Sequence, residues 1–363
     1  MKGLQKRGIM TYFNYMKNRY ILILVLFLLN LSAEATNKCI IQLDNDLFYD
    51  IDEDYTNGVR IAFIKENKDQ AIKENTLQKG LHKLSGADSE TQLGQFRTRG
   101  EGSKRYAWGT GLTQLMFTPK DKTAKVPPYG ERPFAGWLGL EFSLHTKTNE
   151  SVSSVTFSVG TTGKSSFAQK TQNWIHENVS NSDLYSGWDS QVPQEVTLNL
   201  HFDHKHKLPI DQLTENFPLK IDGYNEWGAA VGNFQTNAYL GLLLRAGFNL
   251  SASYSTPRVQ IGSYAHDLFH VEDSRKNRFS FYTFGGCRGT AVLHDITLNG
   301  PLFRDFKYEV ETKAFVGEAL LGYGLSWRNF ELSHSFTHRT REFKSQTKKH
   351  PFGSVLIRFD MPF

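Results

Sequence analysis

The sequence SVLIRFDMPF, residues 354–363, decides the fold class. Apolar residues occupy every second position in it: Val355, Ile357, Phe359, Met361 and Phe363. Successive side chains of a β-strand point to opposite faces, so this alternation predicts a strand with one apolar face and one mostly polar face. Such a strand belongs either in the wall of a membrane barrel, between lipid and a polar lumen, or in a half-buried sheet of a soluble sandwich.

The beginning of the chain favours the barrel. Basic residues precede an apolar run at residues 20–31, and small residues follow at Ala33 and Ala35, a pattern typical of a cleaved secretory signal. The run has 12 residues, fewer than the roughly 20 that a membrane-spanning helix needs. We therefore expect residues 1–35 to be a signal peptide and residues 36–363 to form an outer-membrane barrel domain. Bacterial outer-membrane proteins are exported and close their barrels with a strand that ends in an aromatic residue. The chain resembles them in both features.

The charge of the chain argues against nucleic-acid binding, and its cysteine content is compatible with export. The formal net charge is +5, but the expected signal peptide contains five basic residues and one acid, so the mature chain would carry only +1. Nucleic-acid binding needs concentrated positive charge, which this composition does not provide. The two cysteines, Cys39 and Cys287, could pair in an oxidising compartment.

The middle of the chain fits an all-β fold. The sequence is 13% aromatic, and alternating segments of about ten residues are separated by turn residues, as in transmembrane barrels. Twelve such segments predict a 12-stranded antiparallel transmembrane β-barrel of the bacterial outer membrane, and this even count returns both termini to the periplasm. The predicted strands are 39–48, 56–65, 108–117, 134–145, 151–160, 194–204, 224–233, 236–248, 278–290, 309–323, 325–337 and 353–363.

Strand parity assigns the loops to the two sides of the membrane. With the N-terminus inside, each loop after an odd-numbered strand opens to the cell surface. Three loops at about 45–56, 118–133 and 161–193 should therefore meet on the outer rim. Residues 66–107 follow the second strand and should lie in the periplasm, where their length is unusual and where we assign them no function.

The first outer loop begins with an acidic stretch, DNDLFYDIDEDYTNG, residues 44–58. An EF-hand loop that began at Asp50 would need Gly at its sixth position and Glu at its twelfth. Those positions hold Tyr55 and Ile61, so an EF-hand is excluded. The stretch is therefore either a solvated turn or part of a site that other loops complete.

The third outer loop contains the sequence SSFAQKTQNWIHE, residues 165–177. Phe167 and Trp174 lie seven residues apart, which predicts a short helix whose aromatic stripe packs on the barrel or the membrane. Gln172 and His176 lie one turn apart on another stripe. We expect that stripe to present both side chains at the rim, with His176 exposed.

Five sequence blocks, in order, resemble the outer-membrane lipid A 3′-O-deacylase family. They are DNDLF at 44–48, DYTNGVRIAF at 54–63, MFTPKD leading to ERPFAGWL at 116–138, KTQNWIH at 170–176 and GWDSQ at 187–191. The resemblance is detailed up to about residue 195 and extends beyond 205 mainly as barrel pattern. It implies a hydrolase of the outer membrane, with its active site facing the cell surface, that removes the 3′-linked acyloxyacyl group from lipid A of lipopolysaccharide.

The resemblance also implies a site and a cofactor. By motif it places catalytic residues at Asn45, Asp46, Thr56, Gln172 and His176. It implies dependence on a divalent cation, usually Ca²⁺, with Asp46 as a candidate ligand, and a family mechanism in which His acts as general base on water. An acidic residue found six positions after the His in some family members corresponds to a position near Asn181, with Asp183 close by.

The chemistry of these side chains agrees with ester hydrolysis. Histidine supplies a base near neutral pH, and a cation held by carboxylate and amide oxygens can polarise a carbonyl. No G-x-S-x-G nucleophile elbow occurs, which favours activated water over an acyl-enzyme. Lipid A carries phosphates, so we expect substrate contacts from basic residues of the second outer loop, namely Lys120, Lys122, Lys125 and Arg132.

Two other functions compete with this interpretation. The first is an outer-membrane phospholipase-type esterase, which would use Ser, His and an amide partner. The second is a barrel without enzymatic activity, a porin or an adhesin. For each we expect a monomer in the outer membrane; for the deacylase, the partner is lipid A or lipopolysaccharide of the outer leaflet.

Overall fold

The computed structural model of the protein describes residues 37–46, 54–66, 105–121, 123–148, 150–180, 183–214, 216–250, 256–261 and 279–361. The expected signal peptide, the acidic tip of the first outer loop, nearly all of 66–107, Lys122, Asn181 and Phe363 lie outside the described residues.

Twelve antiparallel strands form a closed barrel in which each strand pairs with its neighbours in sequence and β1 pairs with β12. This confirms the predicted fold class. The strands are β1 (Asn37–Asn45), β2 (Asp54–Glu66), β3 (Arg105–Thr118), β4 (Ala135–Lys147), β5 (Ser151–Thr162), β6 (Val196–Lys207), β7 (Leu219–Gly232), β8 (Gln235–Phe248), β9 (Ser280–Asp295), β10 (Phe315–Trp327), β11 (Phe330–Arg339) and β12 (His350–Met361).

The predicted break between the tenth and eleventh strands, at Gly324, is wrong. Gly324 lies inside β10 opposite Tyr282 of β9, and the turn comes instead at Arg328, whose φ is 53°. A Cβ atom on Gly324 would lie 2.4 Å from the Tyr282 ring. This glycine therefore makes room for an aromatic side chain within the sheet, a role that looks like a turn signal in the sequence.

The wall has an apolar outer face and a polar inner face. In β4, Leu140 and Phe142 point outward and are 49% and 50% exposed, whereas Glu141 between them is fully buried in the interior. This alternation is what a strand between lipid and a polar lumen requires. Among the described residues, we find no helix long and apolar enough to span a membrane.

A segment between β8 and β9, residues 256–261, crosses the interior of the barrel. Gln42 of β1 donates to the Arg258 carbonyl at 2.8 Å, and Arg60 of β2 donates to the Gln260 carbonyl at 3.0 Å. The Arg258 guanidinium forms an ion pair with Glu318 of β10, on a distant part of the wall. The segment thus ties strands from both sides of the barrel together and occupies its lumen.

The two cysteines do not form a disulfide. Cys39 lies in β1 and Cys287 in β9, and both are free thiols. Three strands, β10 to β12, separate β1 from β9 in the closed sheet. The bridge that the sequence allowed is therefore absent.

Two short helices lie outside the sheet. Helix α1 (Ala168–Ile175) belongs to the loop between β5 and β6, and helix α2 (Ile296–Asn299) follows β9. Helix α1 confirms the helix predicted in the third outer loop. It follows a 3-10 turn, Gly163–Ser166, and continues into a π-helical turn, His176–Ser180.

Candidate active site

Four neighbouring strands place one residue each in a continuous row at the end of the barrel that carries α1. Asn45 pairs with Asn57, Asn57 with Met116, and Met116 with Gly136. Each is an even number of positions from an exposed or half-exposed apolar residue on the outer face of its own strand, namely Leu43, Ile61, Leu112 and Leu140. The row therefore lies on the outer face of the wall and not in the lumen.

A β-bulge in β2 brings Thr56 to the same face. The register shifts between Tyr55 and Asn57, so Thr56 is the extra residue. Its Oγ1 lies 2.7 Å from Oγ1 of Thr118, two positions beyond Met116 on the outer face of β3. Regular alternation would have turned Thr56 into the lumen, and bulges of this kind commonly redirect side chains beside active sites.

Helix α1 rests on the outer face of the wall at Gly136. A Cβ atom on Gly136 would lie 2.2 Å from Oγ of Ser166 and 2.4 Å from Cβ of Ala168, so only glycine permits this approach. The Gln114 amide donates to the Ser166 carbonyl at 2.6 Å and fixes the entry to the helix. The helix therefore covers the end of the row that starts at Asn45.

The helix turns its polar stripe inward. Gln172 and His176 are only 2% and 3% exposed, whereas Trp174 is 56% exposed. The expectation of an exposed His176 is therefore wrong. Ala168, one turn before Gln172, contacts the wall at Gly136. The helix face that carries Ala168, Gln172 and His176 is therefore the buried face.

His176 has a defined tautomer. Its Nδ1 lies 2.7 Å from the backbone carbonyl oxygen of Asp183. A carbonyl can only accept, so Nδ1 carries the proton and Nε2 is left as the basic nitrogen of the neutral ring. Asp183, which the sequence marked as a nearby acid, thus orients the histidine through its backbone, and its carboxylate is exposed.

Gln172 is held by a residue from the following turn. The Trp188 indole Nε1 donates to Oε1 of Gln172 at 2.7 Å, and both side chains are buried. Trp188 packs on Phe134 with ring centroids 5.4 Å apart, in a cluster that also contains Met116 of the row. This cluster connects Gln172 to the wall beside Asn57.

Asn45 and Asp46 lie where β1 ends, and Asp46 is fully buried. A buried carboxylate is stable as an anion only with hydrogen bonds, an ion pair or a metal. The Asp46 carboxylate and the Asn45 amide are oxygen donors of the kind that Ca²⁺ takes, so their chemistry fits this cation. Within the described part of the chain, no group of three or more His, Cys, Asp or Glu residues could hold a metal, and the acid-rich residues 47–53 lie outside it.

The candidate substrate-binding cations fall into two groups. Lys120 and Lys125 are exposed in the loop between β3 and β4. Arg132 is buried, pairs with Glu342 at 2.9 Å and stacks over Phe117 at 4.7 Å. Arg132 therefore holds the loop between β11 and β12 against the wall, whereas the two lysines lie at the surface.

Glu342, in the loop between β11 and β12, carries its charge inside the protein. Burial alone would raise the pKa of this carboxyl, but the positive charges of Arg132 and Arg339 outweigh it, and the pKa falls below its ordinary value. Arg339 lies 3.1 Å from the same carboxylate. The loop is thus anchored by a carboxylate that stays ionised.

A cavity of about 150 Å³ lies inside the barrel, lined by Arg258 and Arg288 among others. It contains none of the five candidate catalytic residues. The lumen and the candidate site are therefore separate spaces on opposite faces of the wall.

The sequence indicates that Trp188, in the GWDSQ block, packs on the helix of the third outer loop, and the structure places it there. The hydrogen bond from its indole to Gln172 was not predictable, and Asp183 acts through a backbone atom that no sequence pattern reveals. Gly136 was hidden within the ERPFAGWL block, although a glycine between a helix and a strand signals close backbone approach. Asn57, next to Asn45 in the row, belonged to the DYTNG block.

These features define a class of protein, an outer-membrane β-barrel with a polar site on the outer face of its wall beneath a loop helix. The chain belongs to the LpxR family, because the family's sequence model, described as Outer membrane protein LpxR, matches residues 21–361. This is the lipid A deacylase family that the sequence blocks resemble. No curated protein matched the sequence.

The fold resembles that of a solved structure from the same family, and two other barrels are more distantly similar. LpxR from Salmonella typhimurium has a TM-score of 0.66 at 17% identity, with 89% of this chain and 99% of that chain covered. The β domain of the Bordetella autotransporter BrkA follows with a TM-score of 0.39 at 9% identity, covering 90% of this chain and 98% of that chain. The translocator domain of the autotransporter NalP from Neisseria meningitidis has a TM-score of 0.37 at 9% identity, covering 95% of each chain.

Proposed function

We propose that this protein removes the 3′-linked acyloxyacyl group from lipid A by ester hydrolysis, at the cell-surface side of the outer membrane. The observation that carries the proposal is the pair of buried polar side chains, Gln172 and His176, turned towards the outer face of the wall. A lipid in the outer leaflet can reach this face without entering the barrel. A substrate that bound in the lumen could not reach it.

In the proposed reaction His176 is the general base. Its Nε2 takes a proton from water while the water oxygen adds to the carbonyl carbon of the 3′ ester. The bond from that carbon to the sugar oxygen then breaks, and the imidazolium returns the proton to the sugar oxygen. The products are a free 3′-hydroxyl and an acyloxyacyl acid, so atoms and protons balance.

The developing oxyanion needs donors placed in advance. The Gln172 Nε2 group is buried and has no hydrogen-bond acceptor among the described residues. An unpaired buried donor is costly unless a ligand uses it, and a fixed donor at an oxyanion is one of the strongest contributions to catalysis. We assign this role to Gln172, with Asn45 and Thr56 as further polar groups on the same face.

A divalent cation, Ca²⁺ in this proposal, would be held by Asp46 with Asn45. When bound, it would polarise the ester carbonyl and favour the oxyanion electrostatically. The exposed Lys120 and Lys125 would contact the phosphates and sugars of lipid A, because ammonium groups suit phosphate oxygens.

Mass spectrometry of purified lipid A tests the proposed function. The protein in detergent is incubated with lipid A, with calcium or with chelator, and in parallel with phospholipid micelles. We expect a calcium-dependent mass loss equal to the 3′ acyloxyacyl group. Unchanged lipid A beside hydrolysed phospholipid would instead identify a phospholipase, and hydrolysis of neither by a folded barrel would reject an esterase.

A further inference from the structure

The buried hydrogen bond between Trp188 and Gln172 has a fixed donor and a fixed acceptor. An indole N–H can only donate, so the group that faces it at 2.7 Å must be the amide oxygen of Gln172. The NH₂ group of the same planar amide then points to the other side. Trp188 therefore determines which end of the Gln172 amide is offered to the space beside the wall.

Trp188 itself is fixed from several directions. It is fully buried, and its carbonyl accepts a hydrogen bond from the Gln191 amide at 2.8 Å. Gly187, just before it, lies so close to the Phe134 ring that an added Cβ atom would be 2.3 Å from it. An indole held this firmly can hold the amide in one of its two orientations.

From this geometry we infer that Trp188 is a positioning residue, which keeps the Gln172 NH₂ group facing the reacting ester. The inference rests on the proposed function, in which Gln172 stabilises the oxyanion. If the amide turned over, its oxygen would face the developing negative charge and oppose it. Trp188 would then influence the rate without touching the substrate.

The Trp188→Phe variant keeps an aromatic ring but removes the donor. Loss of one oxyanion-hole donor lowers kcat by about 10²- to 10³-fold. Without the indole donor no group holds the amide oxygen in place, and we expect the donating orientation to fall to about one molecule in ten; this corresponds to roughly a tenfold fall in kcat, with KM little changed. Purely structural damage would instead affect the folding of the loop and both kinetic constants.

A double-mutant cycle isolates the contact. Wild type, Trp188→Phe, Gln172→Met and the double variant are assayed on lipid A, or on whichever ester the wild type hydrolyses. Once Gln172 cannot donate, its orientation no longer matters, so Trp188→Phe should have no further effect on kcat in the Gln172→Met background.

The barrel offers a matched control in Trp137. This indole is also fully buried and donates to Oγ1 of Thr197 at 2.8 Å, but it lies on the inner face of β4. Trp137→Phe removes an equivalent N–H donor away from the site, and we expect kcat to stay within about twofold of wild type.

The possible results separate this inference from the function on which it rests. Equal falls in kcat for Trp188→Phe in both backgrounds, or no fall in either, would overturn the positioning role and leave the esterase intact. A wild-type protein that hydrolyses no ester would overturn the proposed function, and the positioning role with it. A fall in kcat on lipid A only in the presence of Gln172 would support both. The same pattern on a different ester would support the positioning role and overturn the assignment of lipid A as substrate.

Discussion

The imidazole of His176, the general base in the proposed reaction, is oriented by the loop that follows α1. The Asp183 carbonyl accepts a hydrogen bond from Nδ1–H, so in the neutral ring Nε2 is the unprotonated nitrogen. The side chain is only 3% exposed, so little of the ring faces bulk water. The rest of the proposed mechanism depends on this nitrogen.

We predict that His176→Ala lowers the rate of lipid A hydrolysis by at least about 10²-fold, the lower end of what general bases contribute. Because the ring is buried and hydrogen-bonded, the free energy of unfolding should also fall, by about 1 kcal/mol for the bond plus a cost for the cavity. Turnover and urea unfolding in detergent measure the two effects.

His201 provides the control for this variant. It is also buried, but it lies on the inner face of the barrel, where its Nε2 contacts Oγ of Ser158 at 3.1 Å. His201→Ala should lower stability and leave turnover within a fewfold of wild type. If His176→Ala retained more than a few per cent of the wild-type rate, another group would have to be the base.

Glu342 predicts a pH dependence of stability. Its pKa in the folded state lies below its ordinary value of 4.5, because Arg132 and Arg339 outweigh the effect of burial. The carboxylate therefore contributes stability that is complete above the unfolded pKa and is lost as the pH falls through the folded pKa.

We expect Glu342→Gln to lower the free energy of unfolding at pH 7 by about 3 kcal/mol, since it removes the negative charge that pairs with the buried Arg132 and Arg339 guanidinium groups, although Arg339 keeps its ion pair with Glu318. The difference from wild type should shrink as the pH falls below about 4. Urea titrations of both proteins over this pH range measure it, and a difference that did not change with pH would exclude this ion pair as its origin.

The site depends on helix α1, and the helix approaches the wall closely at Gly136. We predict that Gly136→Ala displaces the helix from the wall and lowers turnover at least tenfold, because the added methyl would overlap Ser166 and Ala168. The barrel should remain closed, since the strand pairing does not involve this Cβ. Heat-modifiable migration on gels tests closure alongside the activity assay.

Gly289 in β9 is the matched glycine, because an added Cβ atom would meet nothing within 4 Å. Gly289→Ala should leave both turnover and closure unchanged. Full activity of Gly136→Ala would show that the helix does not need its close contact with the wall.

At this scale the sequence predicted the elements better than their orientation. The barrel and α1 could be predicted because alternation and the helical period are local signals. The burial of His176 could not, because it depends on Gly136, some 40 positions earlier in the chain. The position of Thr56 could not either, because it depends on a bulge beside Thr118, 62 positions later. Gly324 was misread because a glycine that accommodates Tyr282 and a glycine in a turn look the same in a sequence.

The whole molecule separates its inner and outer spaces. Residues 256–261 cross the lumen and bind β1, β2 and β10, and charged pairs such as Arg288 with Glu226 occupy the inner wall. The site, in contrast, opens on the outer face. This arrangement suits a protein that acts on lipid at its surface and conducts nothing through its interior.

We therefore predict that the wild-type protein shows no steady ion conductance in planar bilayers. Replacing residues 256–261 by a Gly-Ser segment of equal length should open the lumen and give measurable conductance. Stable channels formed by the wild type would favour the porin interpretation and would show that the segment does not seal the barrel.

In the proposed reaction, lipid A is hydrolysed on the outer face of the wall, between the row from Asn45 to Gly136 and helix α1. A crystal structure of the His176→Ala variant with intact lipid A and Ca²⁺ would show where the ester binds. We predict that the 3′ ester lies beneath α1, with its carbonyl oxygen within hydrogen-bonding distance of Gln172 Nε2. Lipid A bound in the lumen, or on the outer wall away from α1, would contradict the claim.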